Sequence, residues 1–312
     1  MIRIGLVDID VSHPKAFAGK MDELSLPMNY TGIVNYGFRE EDEVAAFAAA
    51  RGAKVYKTIE EMVPEVDAGF VQSCNWDKHL GYAMPFIEAG KPVFIDKPMV
   101  GSVADVRRVR ELVANGARIL GSSAMRYAPE VDAYLAGLAA KGGKVMNILI
   151  TCGIDEFNYG IHAGEILSRI AGAPAETCRY AGKSADIDGN SVETYFVTFK
   201  NGISATYAIC TPLHQTFELS IMSTKGAECF RLAPLDSYSA MLSGISDALE
   251  GKDNPIADVE TITDAILMML AGKLSRERGG EVVRVDELPD DLAFDGDAFE
   301  KSYAAAAKKM YV

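Results

Sequence analysis

Apolar residues recur along this chain with two different rhythms, and the change between them divides it. In the first part, short strand-like runs lie at residues 2–7, 33–36, 54–56, 66–73, 93–95 and 118–121. Between them fall stretches with helical spacing: 13–24, behind Ser12 as N-cap, then 41–51, 79–89 and 101–115. The last of these puts Val103, Val106 and Val109 on one face, the stripe of a helix seated on a core. Strands alternating with helices at this spacing predict an α/β fold, a doubly wound parallel sheet, over residues 1–122.

From residue 123 the rhythm changes. A helix is expected over 129–140, and Gly142-Gly143 turns the chain into a strand over 144–152. After a helix around His162 come longer alternating strands at 191–199, 203–210, 217–223 and 228–232. Lys200-Asn201-Gly202 and Lys225-Gly226 are the hairpin signals between them. Helices return at 238–249, 262–274 and 297–310. Long strands covered on one side by helices make residues 123–312 an α+β domain with a large, mostly antiparallel sheet. An apolar outer face on such a sheet would suit a homodimer or homotetramer.

Size and composition narrow the partners. A chain of 312 residues with 49% hydrophobic content is long enough for two cores. The net charge of −13 argues against nucleic acid and anionic membrane, and leaves a small molecule as the expected partner. No apolar run approaches the length that crosses a bilayer. Met1-Ile2-Arg3-Ile4-Gly5 leads directly into a strand pattern, so no signal peptide is expected. Cys74, Cys152, Cys178, Cys210 and Cys229 are odd in number and lack metal-ligand spacing; they read as reduced thiols of a cytoplasmic protein.

Candidate chemistry concentrates in two stretches. The apolar run Val93-Phe94-Ile95 suits a strand buried on both faces, and Asp96-Lys97-Pro98 follows it at once. Proline disfavours helix at the preceding residue, so the Lys97 amine belongs at the carboxyl end of a strand, where open α/β sheets bind ligands. In the second stretch, Asn158, His162 and Glu165 stand at i, i+4 and i+7, which lines one face of a helix. Histidine is the natural group to exchange a hydroxyl proton near neutral pH.

These stretches belong to a longer pattern. Val66-Asp67-Ala68, His79, Ala89-Gly90-Lys91 and Asp96-Lys97-Pro98 appear in order, followed by Arg126-Tyr127-Ala128-Pro129, Gly142-Gly143-Lys144-Val145 and Gly160-Ile161-His162. The whole resembles the Gfo/Idh/MocA family of NAD(P)-dependent sugar and cyclitol oxidoreductases, and the resemblance covers essentially the entire chain. It implies a Rossmann-like first domain, NAD or NADP as cofactor, and a sugar, cyclitol or related polyol as substrate. It implies Lys97 and His162 as catalytic residues, with Asn158 where the family has Asp and Asp96 where it has Glu. Asn158 can orient an imidazole but cannot stabilise imidazolium by charge; Glu165, or Asp155 and Glu156, could take that part. The nicotinamide would lie above Ser73, Asn75 and Lys97, with His79 and Asp96 beneath it, and Arg126 and Tyr127 would border the substrate.

One segment departs from the family pattern. The Gly-x-Gly-x-x-Gly positions after the first strand hold Asp8, Asp10 and His13. Carboxylates beside a diphosphate in a partly desolvated site are strongly unfavourable unless a cation intervenes. Three readings stay open. The diphosphate binds through the helix N-terminus, Ser12 and His13; or Asp8, Asp10 and His13 hold a cation; or the acids only cap a turn and no cofactor binds. The end of the second strand, Asn35-Tyr36-Gly37-Phe38-Arg39, lacks the ribose-binding acid, and Arg39 there would suit a 2′-phosphate, so NADP is as defensible as NAD. Two other functions use the same fold: a non-redox ligand-binding or regulatory protein, and a metal-assisted isomerase or lyase.

Overall fold

The computed structural model describes residues 1–311. Its first sheet grows from β1 (Ile2–Val7), whose Ile4, Leu6 and Val7 are fully buried. Around it stand α1 (His13–Glu23), β2 (Met28–Val34), α2 (Glu41–Arg51), β3 (Lys54–Val55), α3 (Ile59–Met62) and β4 (Ala68–Val71). Then come α4 (Trp76–Glu88), β5 (Val93–Ile95), α5 (Val103–Ala114) and β6 (Ile119–Gly121). The six strands are parallel in the order β3-β2-β1-β4-β5-β6. The order reverses between β1 and β4, and a crevice opens there beyond the carboxyl ends of the strands.

The second sheet has seven strands, β12-β11-β7-β10-β9-β8-β13. In chain order its elements are α6 (Pro129–Ala140), β7 (Val145–Gly153), α7 (Gly160–Ala171), β8 (Ala175–Lys183), β9 (Ser191–Phe199), β10 (Ser204–Thr211), β11 (Phe217–Ser223) and β12 (Gly226–Leu232). They continue with α8 (Pro234–Leu249), α9 (Val259–Glu277), β13 (Val283–Arg284) and α10 (Gly296–Ala306). Only β7 and β10 pair in parallel; the other neighbours are antiparallel. Inward residues such as Ile148, Ile150, Tyr195, Val197 and Tyr207 bury against α7 and α9, and Phe196 and Met222 face outward and are exposed.

Several boundaries differ from the sequence pattern for visible reasons. β2 starts at Met28, because Met28 and Tyr30 alternate inward with Asn29 and Thr31. α4 starts at Trp76, since Asn75 caps it by accepting from Asp77 N at 3.0 Å. β8 was not legible because its buried positions, Ala175 and Cys178, do not alternate cleanly. The last helix ends at Ala306, and residues 307–311 run on without regular secondary structure. Ser12 occupies the N-cap of α1, but its helical φ and ψ (−75° and −12°) keep its hydroxyl from capping.

The core is in two parts. One lies on the α1/α2 face of the first sheet and takes in Tyr238, Met241, Leu242 and Ile245 of α8. The other lies on the α4/α5 face and continues through α7 and α9 beneath the second sheet. Within this second part, Trp76 of α4 meets the second domain: Phe157 stacks on Phe294 at 4.1 Å, and the Trp76 indole donates to Phe294 O at 3.0 Å.

Candidate functional site

Two carboxylates fill the crevice at the strand ends. Asp8, directly after β1, has φ of +64°, a left-handed conformation that Asp tolerates better than most residues. Its Oδ1 accepts from Tyr36 N at 2.6 Å and Gly37 N at 3.0 Å. Asp10 bridges further: Oδ1 accepts from Phe38 N at 3.3 Å, and Oδ2 from Cys74 N at 3.2 Å and the Ser73 hydroxyl at 3.5 Å. Asp10 thus spans from the loop after β2 to the loop after β4. It presses so closely on Gly37 that a Cβ there would lie 1.9 Å from Asp10 Oδ1. Burial raises the pKa of both acids, and the Asp10 charge raises Asp8 further.

The chain's own final segment runs over the same crevice. At the start of α10, Gly296 N donates to Asp77 Oδ2 at 2.8 Å. One turn on, Glu300 Oε2 accepts from Asn75 Nδ2 at 2.8 Å and from Lys78 Nζ at 2.5 Å. Tyr303 then packs edge-on against Phe38. Beyond the helix, Arg39 donates to Lys308 O at 2.7 Å, Met310 N donates to Glu43 Oε1 at 2.8 Å, and the Tyr311 hydroxyl donates to Val11 O at 2.7 Å. This path meets the loop after β4 first, then that after β2, and last that after β1.

A second polar cluster lies between the sheets. His13 Nδ1 is 2.6 Å from Asp96 Oδ2, and Gln72 Nε2 donates to the same oxygen at 3.1 Å. Burial alone would raise the Asp96 pKa, but the charge and hydrogen bond of His13, with Lys97 and Gln72, bring it down to about 2. Lys97 Nζ donates to Asn158 Oδ1 at 2.9 Å and Asn158 O at 3.1 Å, and lies 5.8 Å from the centre of the Tyr159 ring. The His162 ring meets the same Tyr159 edge-on at 5.7 Å. His162 Nδ1 is 2.6 Å from Ser123 Oγ, so Nε2 is the nitrogen left for a substrate. Burial first, then the charges of Lys97 and His13, push the His162 pKa well below its ordinary value, and burial lowers that of Lys97.

The residues singled out from sequence fall into two groups. Lys97, Asn158, His162, His13 and Asp96 belong to this cluster, although Asn158 lies in the turn before α7 and not on its face with His162. Glu165 does not touch the imidazole: it accepts from Ser122 Oγ, Ser123 N and Arg126 Nε, and Ser123 stands between it and His162. Arg126 is buried on Glu165 and Ser168, and the Tyr127 hydroxyl accepts from Ala257 N. Arg39, read as facing a 2′-phosphate, instead turns inward to Asp10 O at 2.6 Å, because Glu43 and Lys308 draw its guanidinium under the chain. Ser73 and Asn75 serve the crevice and α10, and His79 bridges Ser73 O and Pro98 O. Asp8, Asp10 and His13 do not assemble as one cation site, since His13 is taken by Asp96. Ser123 and the His13–Asp96 pair were missed; the only prior signal was Ser122-Ser123 at a strand end. A separate cavity of about 430 Å³ lies beyond Arg126, lined by Arg110, Arg169, Lys200, Glu260 and Asp264.

Comparison with known proteins agrees with this architecture. Residues 10–122 match the Gfo/Idh/MocA model, described as an oxidoreductase family with an NAD-binding Rossmann fold. Over those residues the chain is similar to the Gfo/Idh/MocA oxidoreductase family. No curated protein matches the chain. Among solved structures, an oxidoreductase from Thermotoga maritima is similar at 19% identity, covering 92% of this chain and 99% of its own, with a TM-score of 0.75. The apo scyllo-inositol dehydrogenase of Lactobacillus casei is similar at 15% identity over 92% of this chain and 99% of its own, with a TM-score of 0.76. An oxidoreductase from Agrobacterium radiobacter, solved with NAD+, L-tartaric acid and magnesium, is similar at 13% identity over 91% and 98%, with a TM-score of 0.73. At these identities the likeness is one of fold.

The Gfo/Idh/MocA family is NAD-binding, but the crevice of this chain does not fit a dinucleotide as folded. Asp8 and Asp10 stand where a diphosphate would lie, and α10 with residues 307–311 crosses the path beside them. An anion placed there would face buried carboxylates and not a glycine-lined helix N-terminus. His13, on the first turn of α1, is committed to Asp96.

Proposed function

We propose that this chain is an oxidoreductase acting on a hydroxyl-bearing carbon of a sugar, cyclitol or related polyol, in the cleft shared by Lys97, Asn158 and His162. The observation that carries this reading is the placing of Lys97 and His162 against the same Tyr159 ring. A depressed pKa leaves His162 neutral at pH 7, able to accept a hydroxyl proton at Nε2 while Ser123 holds Nδ1. Lys97, held by Asn158, would polarise the reacting oxygen. NAD or NADP is the redox partner in this reading, and α10 would have to leave the crevice to admit either. The five free thiols, four of them buried, support a cytoplasmic location.

The crevice favours a second reading. With Asp8, Asp10 and α10 in place, the same cluster would serve a non-redox protein that binds or isomerises a polyol by proton transfer. Thermal shift of the full chain with NAD+, NADH, NADP+ and NADPH separates the two, because a ligand of the native state raises the melting temperature. A shift with either pair, together with polyol-dependent change in nicotinamide absorbance, is expected for the oxidoreductase. No shift with any of the four, alongside exchange of a carbon-bound hydrogen with deuterated solvent, would overturn it in favour of the second.

A further inference from the structure

The crevice that opens beside β1 has reversed its charge. Where the fold offers backbone amides to an anion, this chain places Asp10 from the first loop, Cys74 from the loop after β4, and Glu300 from α10. One ligand-type atom from each of these three lies within 4.8 Å of the other two. Asp10 and Cys74 are buried and Glu300 is half-buried. Carboxylates brought this close are unfavourable without a cation among them.

Of the cations nearby, Lys78 compensates one oxygen of Glu300 only, and Arg39 is engaged outside the cluster. Arg39 spends its guanidinium on Asp10 O, Lys308 O and Glu43, not on a crevice carboxylate. Lys78 reaches Glu300 at Oε2, on the side shared with Asn75.

Asp8 supplies an independent sign. It is fully buried, its Oδ1 is held by two backbone amides, and among the described residues its Oδ2 has no hydrogen-bond partner. Its polar neighbours are Asp10 and Ser73; the Ser73 hydroxyl lies between the two acids, 3.5 Å from Asp10 Oδ2 and outside hydrogen-bond reach of Asp8 Oδ2. A buried carboxylate oxygen without a donor is costly in a folded protein, and a metal ion is one of the few partners that satisfies it.

We propose that the crevice holds one divalent cation of the zinc class, ligated by Asp10, Cys74 and Glu300, with the Asp8 carboxylate facing it. A thiolate combined with carboxylates suits zinc or its surrogate cobalt better than magnesium or calcium, which take oxygen ligands alone. Because Glu300 lies on α10, the ion would fasten this helix across the strand ends, and a dinucleotide and the cation would compete for one place. The inference goes beyond the polyol reading and stands or falls independently of it.

The test uses the full chain after treatment with a chelator. Calorimetric titration with zinc chloride is expected to give one site, and cobalt chloride a thiolate-to-cobalt charge-transfer band. Cys74→Ser should abolish the band, and Asp10→Asn should weaken zinc at least about tenfold. Cys229→Ser, at an exposed thiol, should change neither. Glu300→Gln, at a half-buried helix position, should weaken zinc similarly and carries the test if a variant in the buried loops unfolds. Absence of zinc binding by the wild type, affinity unchanged in Glu300→Gln and Cys74→Ser, or a band lost in Cys229→Ser would each overturn the proposal. Polyol turnover is not read in these measurements, so failure of the functional reading cannot imitate any of these results.

Discussion

Ser123 Oγ lies 2.6 Å from His162 Nδ1, and both groups are buried. The same hydroxyl accepts from Met125 N at 3.1 Å, so the turn after β6 fixes the serine and the serine fixes the imidazole. Ser123 therefore acts on the cluster as a positioning residue. If His162 exchanges the substrate proton, His162→Ala should lower turnover by at least about a hundredfold. Ser123→Ala should cost about tenfold, the kinetic equivalent of one ordinary hydrogen bond, with kcat falling and KM little changed. Ser123→Thr, which keeps the hydroxyl, should restore most of the loss. Steady-state rates of the three variants check this, and near-normal turnover in His162→Ala would remove the imidazole from the mechanism.

The His13–Asp96 pair makes a prediction about acid. Asp96 titrates near 2 in the folded protein, against an ordinary value of 3.8. The unfolded chain therefore binds a proton at higher pH than the folded one, and stability from this group is present above about 4 and lost as pH falls toward 2. A shift of this size corresponds to roughly 2 kcal/mol. Asp96→Asn has no such group to titrate. The stability gap between wild type and Asp96→Asn, from urea midpoints at successive pH values, should be widest above pH 4 and close as pH falls toward 2. A gap that stays constant through that window would show that His13 does not hold the carboxylate.

How far the sequence revealed these relationships depended on sequence distance. Lys97 and His162 were legible because each sits in a local signal: an acid-base-proline at a strand end, and a histidine in an amphipathic helix. The crevice was legible in part, since Asp8 and Asp10 visibly replace glycines. What fills it was not, because α10 reaches Asn75 across 225 residues and no local pattern encodes that meeting. His13 and Asp96, 83 residues apart, meet only once β1 and β5 share a sheet. Asn158 was misplaced on a helical face because i, i+4 spacing holds only inside a helix, and α7 begins at Gly160.

The outward face of the second sheet leads to a prediction about assembly. Phe196 on β9 and Met222 on β11 are each at least two-fifths exposed, on the side away from α7 and α9. Apolar groups repeated on one sheet face suit pairing with a second copy. Phe196→Glu would place a charge in that interface at little cost to the monomer, whose inward residues it leaves untouched. Light scattering should show wild type as a dimer or tetramer and the variant as a smaller species with an unchanged melting curve. A monomeric wild type would rule out this interface.

Arg39 and Glu43 form a buried ion pair at 3.3 Å, one turn apart at the start of α2. Both are nearly inaccessible, and each also holds residues 307–311, Arg39 through Lys308 O and Glu43 through Met310 N. Removing one partner leaves a buried charge uncompensated, which costs about 3–5 kcal/mol; replacing both with apolar groups of similar volume is often close to neutral. Arg39→Ala should therefore destabilise strongly. Arg39→Met combined with Glu43→Leu should lose less, even though both hydrogen bonds to the final segment are gone. Urea unfolding of the wild type, the two single variants and the double variant closes the cycle. If the double variant loses the sum of the two singles, the pair is not coupled, and the anchoring of residues 307–311 must rest on Tyr311 packing against Phe47 instead.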